Sequence, residues 1–310
     1  MAEAVGSEPQ KYNKAAEAAK DERGGRKTPC FLNEDNRPGP SQESALTGRP
    51  NQMTSARYAN ECIYCGARDV PLTKEHVVAR SLGGDLVLQK ASCKTHGDVT
   101  SAFELKMARE TYGVQRALDG VPTRDRDGRK ALMSGCISIA GINAAGERET
   151  ANILRSDYPR MPMIVRLEPP GLLQGISDDT EAGVGLTTGL DRAQSARMSR
   201  RLGLSHIEWH SAGINTRTVL RVLAKTAHAF ACYELGAKGF EPMLLPLIVD
   251  DAGSASYFVG GFEPQRSQNR PPLILREEDV SGVMHLVVEI SLKYFPDMPL
   301  YQVVVGRPLS

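Results

Sequence analysis

Four soft metal ligands fall into two pairs with the same internal spacing. Cys62 and Cys65 form the first pair, and Cys93 and His96 form the second, each with two residues between its members. This spacing lets both members of a pair converge on one ion from a tight turn, and two such pairs can close a tetrahedron around zinc. We therefore expect a structural Zn2+ site made by these four side chains.

A carboxylate and an imidazole stand side by side between the two pairs. Glu75 and His76 begin an apolar run that ends at Gly83 and Gly84. An imidazole has an unperturbed pKa of about 6.5 and is suited to act as a general base near neutral pH. A carboxylate is the kind of ligand that Mg2+ and Mn2+ prefer. A structural zinc site requires neither group, so this pair indicates additional chemistry.

The whole pattern resembles the HNH family of ββα-metal nucleases over about residues 58–118. The resemblance rests on the first cysteine pair, on Glu75-His76 with the following hydrophobic residues, on Arg-Ser and the glycine pair, and on the final Cys-x2-His. It implies a zinc-stapled β-hairpin followed by a helix that starts near Asp98. It also implies that His76 is the general base for water attacking a phosphodiester, while Glu75 holds a catalytic Mg2+ or Mn2+.

The sequence departs from the family pattern at two asparagines. No asparagine lies between residues 60 and 143, and the position after the last zinc ligand is Gly97. Asp98 is the best substitute as the second ligand of the catalytic cation, with Asp85 and Gln89 as weaker candidates.

Three residues of the module allow two interpretations each. His96 completes the zinc site or, as the last histidine of the motif, joins the catalytic metal; three thiolates alone are unusual for structural zinc, which favours the first. Lys74 and Arg80 flank the proposed base, and each contacts nucleic-acid phosphate or is simply solvated.

Composition constrains the function only weakly. The chain has 310 residues, 41% of them hydrophobic, and a net charge of +1, so its overall charge carries no signature of a nucleic-acid binder. No run of about 18 apolar residues is present, which argues against a membrane span. No hydrophobic signal sequence opens the chain, and we therefore expect a cytoplasmic, reducing location.

The chain divides into three predicted units. Residues 1–57 read as a disordered tail, residues 58–118 as the HNH module, and residues 119–310 as a larger α+β domain of unknown role, entered through the charged connector 123–130. In the last unit, apolar runs read as strands or buried segments, and the last two as an antiparallel pair that ends the chain: 161–167, 242–249, 283–292 and 301–306.

One long helix is predicted from Asn215 or Thr216, as the N-terminal cap, to Gly236, as the stop. Its polar stripe is a solvated face or a groove for a nucleic-acid backbone, and it consists of Arg217, Arg221, Lys225 and His228.

Two further polar clusters give only weak indications of function. Residues 191–201 form a basic patch in which Arg197 and Arg201 share a face if the segment is helical. Ser205-His206 and Trp209-His210 could belong to a second metal or nucleophilic site, but no Asp or Cys lies at a spacing that would complete one. We interpret them as ordinary polar residues.

The sequence thus predicts an α+β protein that hydrolyses DNA phosphodiesters as a metal-dependent HNH-like endonuclease, with structural zinc and catalytic Mg2+ or Mn2+. Residues 119–310 would select the substrate, a protein partner or a homo-oligomeric state. Two alternatives remain: a catalytically inactive zinc module that binds nucleic acid, and a protein-interaction module.

Overall fold

The structure is a computed structural model, and it describes the chain in eight stretches: residues 57–121, 126–158, 163–178, 184–188, 192–208, 214–262, 271–292 and 298–309. Residues 1–56 of the predicted tail, residues 123–125 of the connector, and Trp209 and His210 lie outside these stretches.

The N-terminal part is a small sheet followed directly by a helix. The sheet contains β1 (Arg57–Tyr58), β2 (Leu72–His76) and β3 (Val87–Cys93) in the order β1-β3-β2, and α1 (Lys94–Lys106) begins at the residue after β3. Strands β2 and β3 are antiparallel, so the chain runs strand, strand, helix through this region. The helix continues through one π-helical stretch, Met107–Thr111.

The middle of the chain forms short helices and two small sheets. The elements are α2 (Gly113–Leu118), α3 (Arg126–Ser134), β4 (Cys136–Asn143), β5 (Arg148–Leu154), β6 (Met163–Leu167), β7 (Val184–Thr188), α4 (Arg192–Leu202) and β8 (Leu204–Glu208). Strands pair in the order β5-β4-β8, and β6 pairs with β7. A small core of its own joins α4 to the first of these sheets through Ile139, Ile153, Met198, Leu204 and Ile207.

The predicted long helix is confirmed as α5, Thr216–Leu235. The side chain of Asn215 accepts a hydrogen bond from the Thr218 backbone N–H at 2.9 Å, which caps the helix, and Gly236 follows its last residue. Every residue from 222 to 232 is buried. A helix buried around its whole circumference lies inside a core, and α5 is the central element of this protein.

The C-terminal part supplies a five-stranded antiparallel sheet. The elements of this part are β9 (Phe240–Pro242), α6 (Leu245–Val249), α7 (Ala255–Phe258), β10 (Val259–Phe262), β11 (Leu273–Val280), β12 (Val283–Ile290) and β13 (Leu300–Pro308). The strand order is β10-β13-β12-β11, with β9 also paired to β13. The predicted antiparallel pair at the end of the chain is therefore confirmed.

The apolar run 242–249 shows why a short hydrophobic segment is ambiguous. Leu244, Leu247 and Ile248 are buried but Pro246 is exposed, and the regular part of the run is the helix α6, with only Pro242 in a strand. Periodicity cannot separate a buried strand from a buried helix over so few residues.

One hydrophobic core unites the N-terminal and C-terminal parts. Its members extend from Cys62 to Val121 and from Val165 through α5 to Val305. Helix α5 packs on α1 on one side and on β12 and β13 on the other. The predicted α+β class is confirmed, and residues 58–118 are packed into the core of the remainder.

Residues 192–201 of the basic segment are helical, which is the case in which Arg197 and Arg201 share a face, but Arg201 forms an ion pair with Asp157 at 3.0 Å. Arg197 is exposed. Within the described stretches, none of the helices is both long enough and apolar enough to cross a bilayer.

Candidate metal centre

The first ligand pair lies in a tight turn that docks on β3. The Gly66 N–H donates to the Cys62 carbonyl at 2.7 Å, and Gly66 has a φ of 73°, a left-handed conformation that glycine adopts without steric cost. The Ile63 N–H donates to the Ala91 carbonyl at 2.8 Å. The turn between Cys62 and Cys65 is thereby fixed against the strand that carries the third ligand.

The second pair lies where β3 becomes α1. Cys93 is the last residue of the strand and the cap of the helix, and His96 lies in its first turn. The helix begins at Lys94, so the expected start near Asp98 is wrong. The sequence predicts Asp98 as the helix cap, but β3 passes into α1 without a loop and Cys93 is the cap. The predicted start is therefore about one turn too late.

The four predicted zinc ligands converge. Their donor atoms all lie within 4.8 Å of one another. The Cys93 sulfur is 3.1 Å, and the Cys62 sulfur 3.9 Å, from Nδ1 of His96. In a tetrahedral zinc site with Zn–S of about 2.3 Å and Zn–N of about 2.1 Å, donor atoms stand about 3.5–3.8 Å apart. The group can therefore hold a metal ion such as zinc, and His96 lies with the thiols, as the first of its two interpretations held.

The thiols differ in how readily they ionise. Burial raises the pKa of Cys62 to about 11. Burial also acts to raise the pKa of Cys93, but hydrogen bonds from the backbone and ring of His96 outweigh it and lower the pKa to about 7. The Cys93 thiol therefore ionises near neutral pH, and the thiolate is the form that binds a metal.

The glycine pair after the apolar run has a steric reason. Gly83 ends the 3-10 helix Arg80–Leu82 with a φ of 85°. A Cβ on Gly84 would lie only 2.0 Å from the Val78 carbonyl oxygen. Both positions let the chain after β2 turn back closely toward β3, whose first residue, Val87, pairs with His76.

The Glu75 carboxylate is buried, and its partner comes from the centre of the protein. Nζ of Lys225 on α5 lies 2.5 Å from Oε1 of Glu75 and 2.6 Å from Oε1 of Glu104 on α1. It also donates a hydrogen bond to the His76 carbonyl. Lys225 has no exposed surface, so the polar stripe predicted for α5 is not solvated at this position, nor is it a groove.

The charges in this cluster stabilise one another. Burial would lower the pKa of Lys225, but the carboxylates of Glu104 and Glu75 outweigh that effect and hold its pKa above the usual value. Burial and the nearby charge of Glu75 raise the pKa of Glu104 against the attraction of the lysine. The lysine is therefore charged, and it compensates at least one buried carboxylate.

The rest of the predicted polar stripe also has partners within the protein. His228 is buried, and its Nε2 donates to the Ile63 carbonyl at 2.8 Å, directly behind the first ligand pair. Arg217 and Arg221 both form ion pairs with Asp251, at 2.8 and 3.2 Å. The alternatives of a solvated face and a nucleic-acid groove are thus both wrong for Lys225 and His228.

His76 is half-buried at the end of β2. Its Nδ1 is buried and has no hydrogen-bond partner among the described residues. Burial lowers the pKa of His76 below its ordinary value, and the charges of Lys74 and Lys225 lower it further. The neutral imidazole is therefore the favoured form at neutral pH.

The remaining predicted site residues lie on the surface. Asp98 is exposed and pairs with Lys94 at 2.7 Å along one face of α1. Lys74 and Arg80 are exposed, and no acidic partner is found for either in the described part of the chain. Both predicted cation ligands, Glu75 and Asp98, thus have a lysine neighbour.

Sequence reasoning missed Glu104, the inward role of Lys225, and Tyr64. The Tyr64 ring lies between the rings of His96 and His228, with centroids 6.0 and 5.8 Å away. One signal was present: between residues 218 and 232 only Arg221 and Lys225 carry a full charge. A helix so apolar is buried on all sides, and a lysine within it needs a buried acid.

We predict one tightly bound zinc per chain. Replacing Cys65 or Cys93 with Ser should abolish zinc binding and unfold the protein around β2, β3 and α1, because structural zinc contributes on the order of 10 kcal/mol to folding. Metal analysis and circular dichroism measure both effects. The matched control is Cys232→Ala, which alters a buried cysteine outside the tetrad and should retain zinc. A parent protein purified without chelators and free of zinc would contradict the prediction.

Replacing Lys225 with Met should lower the free energy of unfolding by about 3–5 kcal/mol, because two buried carboxylates lose their counter-charge. Adding Glu104→Gln to that variant should restore part of the loss. Urea unfolding measures both, with Lys106→Met on the exposed side of α1 as the control. An unchanged midpoint for the Lys225 variant would show that the buried ion pairs contribute nothing to stability.

The chain matches no protein-family model, and no curated protein or solved structure matches it either. The resemblance to HNH nucleases therefore rests on the ligand spacing, on Glu75-His76 and on the glycine pair.

Proposed function

We propose that this protein is a metal-dependent endonuclease of the HNH type that hydrolyses phosphodiester bonds in DNA. The observation that carries the proposal is the position of His76. It stands at the end of the first strand of an antiparallel pair whose second strand ends in a zinc ligand and passes directly into α1. A base held by a rigid metal-stapled frame is what such a reaction requires.

In the proposed reaction, His76 accepts a proton from a water molecule as that water attacks the phosphorus, and the P–O bond to the leaving strand breaks. The low pKa of His76 supports this role because the imidazole is then neutral and ready to accept. Its Nδ1 is buried, which leaves Nε2 as the accepting atom. Lys74 and Arg80 are exposed cations near the base that can contact phosphate.

A catalytic Mg2+ or Mn2+ would stabilise the charge that develops on the phosphate oxygens. Lys225 contacts Oε1 of Glu75, and Lys94 contacts Oδ2 of Asp98. Each carboxylate therefore keeps a second oxygen for a cation. That ion would have to bind close to a lysine ammonium, which predicts weak affinity.

The lysine neighbours also favour a second candidate function, a module that binds nucleic acid without cutting it. The exposed ammonium of Lys94 beside Asp98 attracts phosphate and repels Mg2+, and the buried ammonium of Lys225 already compensates Glu75 within the core. In that case the Cys/His tetrad and hairpin form a zinc-stabilised binding surface. The two candidates differ in cleavage but agree in salt-dependent retention of DNA.

The base is tested with His76→Ala. Nicking or linearisation of supercoiled plasmid in Mg2+ or Mn2+ should fall by about 10^2 to 10^4, while zinc content and DNA affinity stay at parent levels. His206→Ala, which removes an exposed histidine from β8, should cut like the parent. The parent rate should decline with acidification only below the ordinary imidazole pKa of about 6.5, because a lowered pKa keeps the base neutral to lower pH. Loss of zinc in the His76 variant, or undiminished cutting, would remove His76 from the mechanism.

The cation is best tested at Asp98, because this exposed carboxylate can be removed without disturbing the core. If Asp98 is a ligand, Asp98→Ala should raise the Mg2+ concentration needed for half-maximal cutting about tenfold or more, with partial recovery in Mn2+. Lys94→Ala is the matched control, since it breaks the same ion pair and keeps the carboxylate. It should leave the requirement unchanged or lower it, and equal losses in both variants would mean that only the ion pair matters.

A further inference from the structure

A cavity of about 450 Å3 opens beside the proposed nuclease module. Its walls come from the end of α1 and the following π-helical stretch, from α2 and from α3. Three arginines line it together with apolar side chains: Arg109, Arg116 and Arg129, with Leu105, Ala117 and Leu132. None of the described lining residues is acidic.

Two of the arginines are held by backbone rather than by carboxylates. Arg116 donates to the carbonyls of Ser81 and, at 3.2 Å, Ala108. Arg129 donates to the Ala117 carbonyl at 2.6 Å and to the Val121 carbonyl at 3.4 Å. Peptide carbonyls fix the direction of a guanidinium but leave its full positive charge uncompensated.

These charges also act on each other. Burial lowers the pKa of Arg116, and the charge of Arg129 lowers it further. Arg109 is exposed at the cavity, and the described residues provide no acidic partner for it. Like charges that are held together by the fold without an acid gain stability when an anion binds between them.

The cavity is connected to the proposed reaction centre through Ser81. This residue lies in the 3-10 helix Arg80–Leu82, in the link between β2 and β3, and it accepts the hydrogen bond from Arg116. Arg80, one of the exposed cations near His76, is its immediate neighbour. A strand bound at the end of β2 thus has a short path over this link to the three arginines.

We propose that this cavity binds one nucleotide unit of a nucleic-acid strand, with its phosphate on Arg109, Arg116 and Arg129 and its sugar or base against the apolar wall. The inference rests on the proposed function for the choice of a strand over other anions. Guanidinium groups bind phosphate oxygens in bidentate fashion, which suits this donor set. The volume lies within the range of about 300–1,000 Å3 typical of small-ligand sites, so the cavity accepts one unit of a single strand and not a duplex.

Fluorescence anisotropy with a labelled 12-nucleotide single-stranded DNA tests the site on the full, zinc-loaded chain without added divalent cation, so that binding is measured without cutting. Arg109→Glu should weaken binding about fivefold or more and reduce the salt dependence by about the 0.7 expected per lost contact. Arg109 is exposed, so the variant should keep zinc content and melting temperature. The matched control is Lys106→Glu, which reverses a neighbouring exposed charge outside the cavity and should bind like the parent.

Competition experiments distinguish a phosphate within a strand from a free nucleotide or inorganic phosphate. An unlabelled strand should displace the probe at far lower concentration than 5′-AMP or inorganic phosphate. Equal potency of 5′-AMP would identify a free nucleotide as the ligand and overturn the strand. Equal weakening by Arg109→Glu and Lys106→Glu, or no weakening by either, would overturn the cavity as a distinct site.

Plasmid cleavage by the same proteins keeps the two proposals apart. If the parent does not cut DNA but its binding depends on Arg109, the catalytic proposal fails and the cavity stands. If the parent cuts and Arg109→Glu binds and cuts equally well, only the cavity inference fails.

Discussion

The buried ammonium of Lys225 is the constraint on which the arrangement of this protein depends. A lysine with no exposed surface must lie beside negative charge, because an uncompensated buried ion costs several kcal/mol. The fold meets this requirement with Glu75 from β2 and Glu104 from α1, and the lysine also binds the His76 carbonyl. The strand carrying the proposed base, the helix after the metal site and the central helix are thus fixed by one side chain.

The Cys/His tetrad lies at the opposite end of the same strands, where Leu72 pairs with Cys93. Cys62 and Cys93 are buried within the shared core, and Tyr64 and His228 fill the space between the tetrad and α5. The buried ion pairs hold β2 and α1 against α5, while a metal ion bound by the tetrad would hold the turn at Cys62 and Cys65 against β3 and α1. His76 directly follows Glu75 at the end of β2, so the ion pair fixes the strand that carries the proposed base.

The sequence predicted local features better than tertiary ones. The ends of α5 follow from Asn215 and Gly236, and the convergence within each ligand pair follows from its two-residue spacing, because both depend on neighbouring residues alone. That the two pairs meet is inferred from the four ligands that zinc requires. The low charge of α5 signalled that Lys225 and His228 are buried, but their partners could not be derived, since these depend on which elements cover α5. The start of α1 was misplaced because Cys93 is at once the last strand residue, the helix cap and a member of the Cys/His tetrad. Glu104 lies in α1, remote in sequence from Lys225, and only the fold brings the two together.

The same lysine constrains the proposed catalysis. Its ammonium helps to keep His76 neutral, which favours a general base, yet it also reduces the attraction of Glu75 for a divalent cation. The two effects act in opposite directions on a nuclease, because the first favours the base and the second disfavours the catalytic cation. If cutting is observed, the cation must therefore be held largely by the substrate phosphate and by the free oxygens of the carboxylates. Lys225 itself has no exposed surface and is paired with Glu75 and Glu104, so it acts on the reaction only through its charge near His76 and Glu75 and not by contact with phosphate.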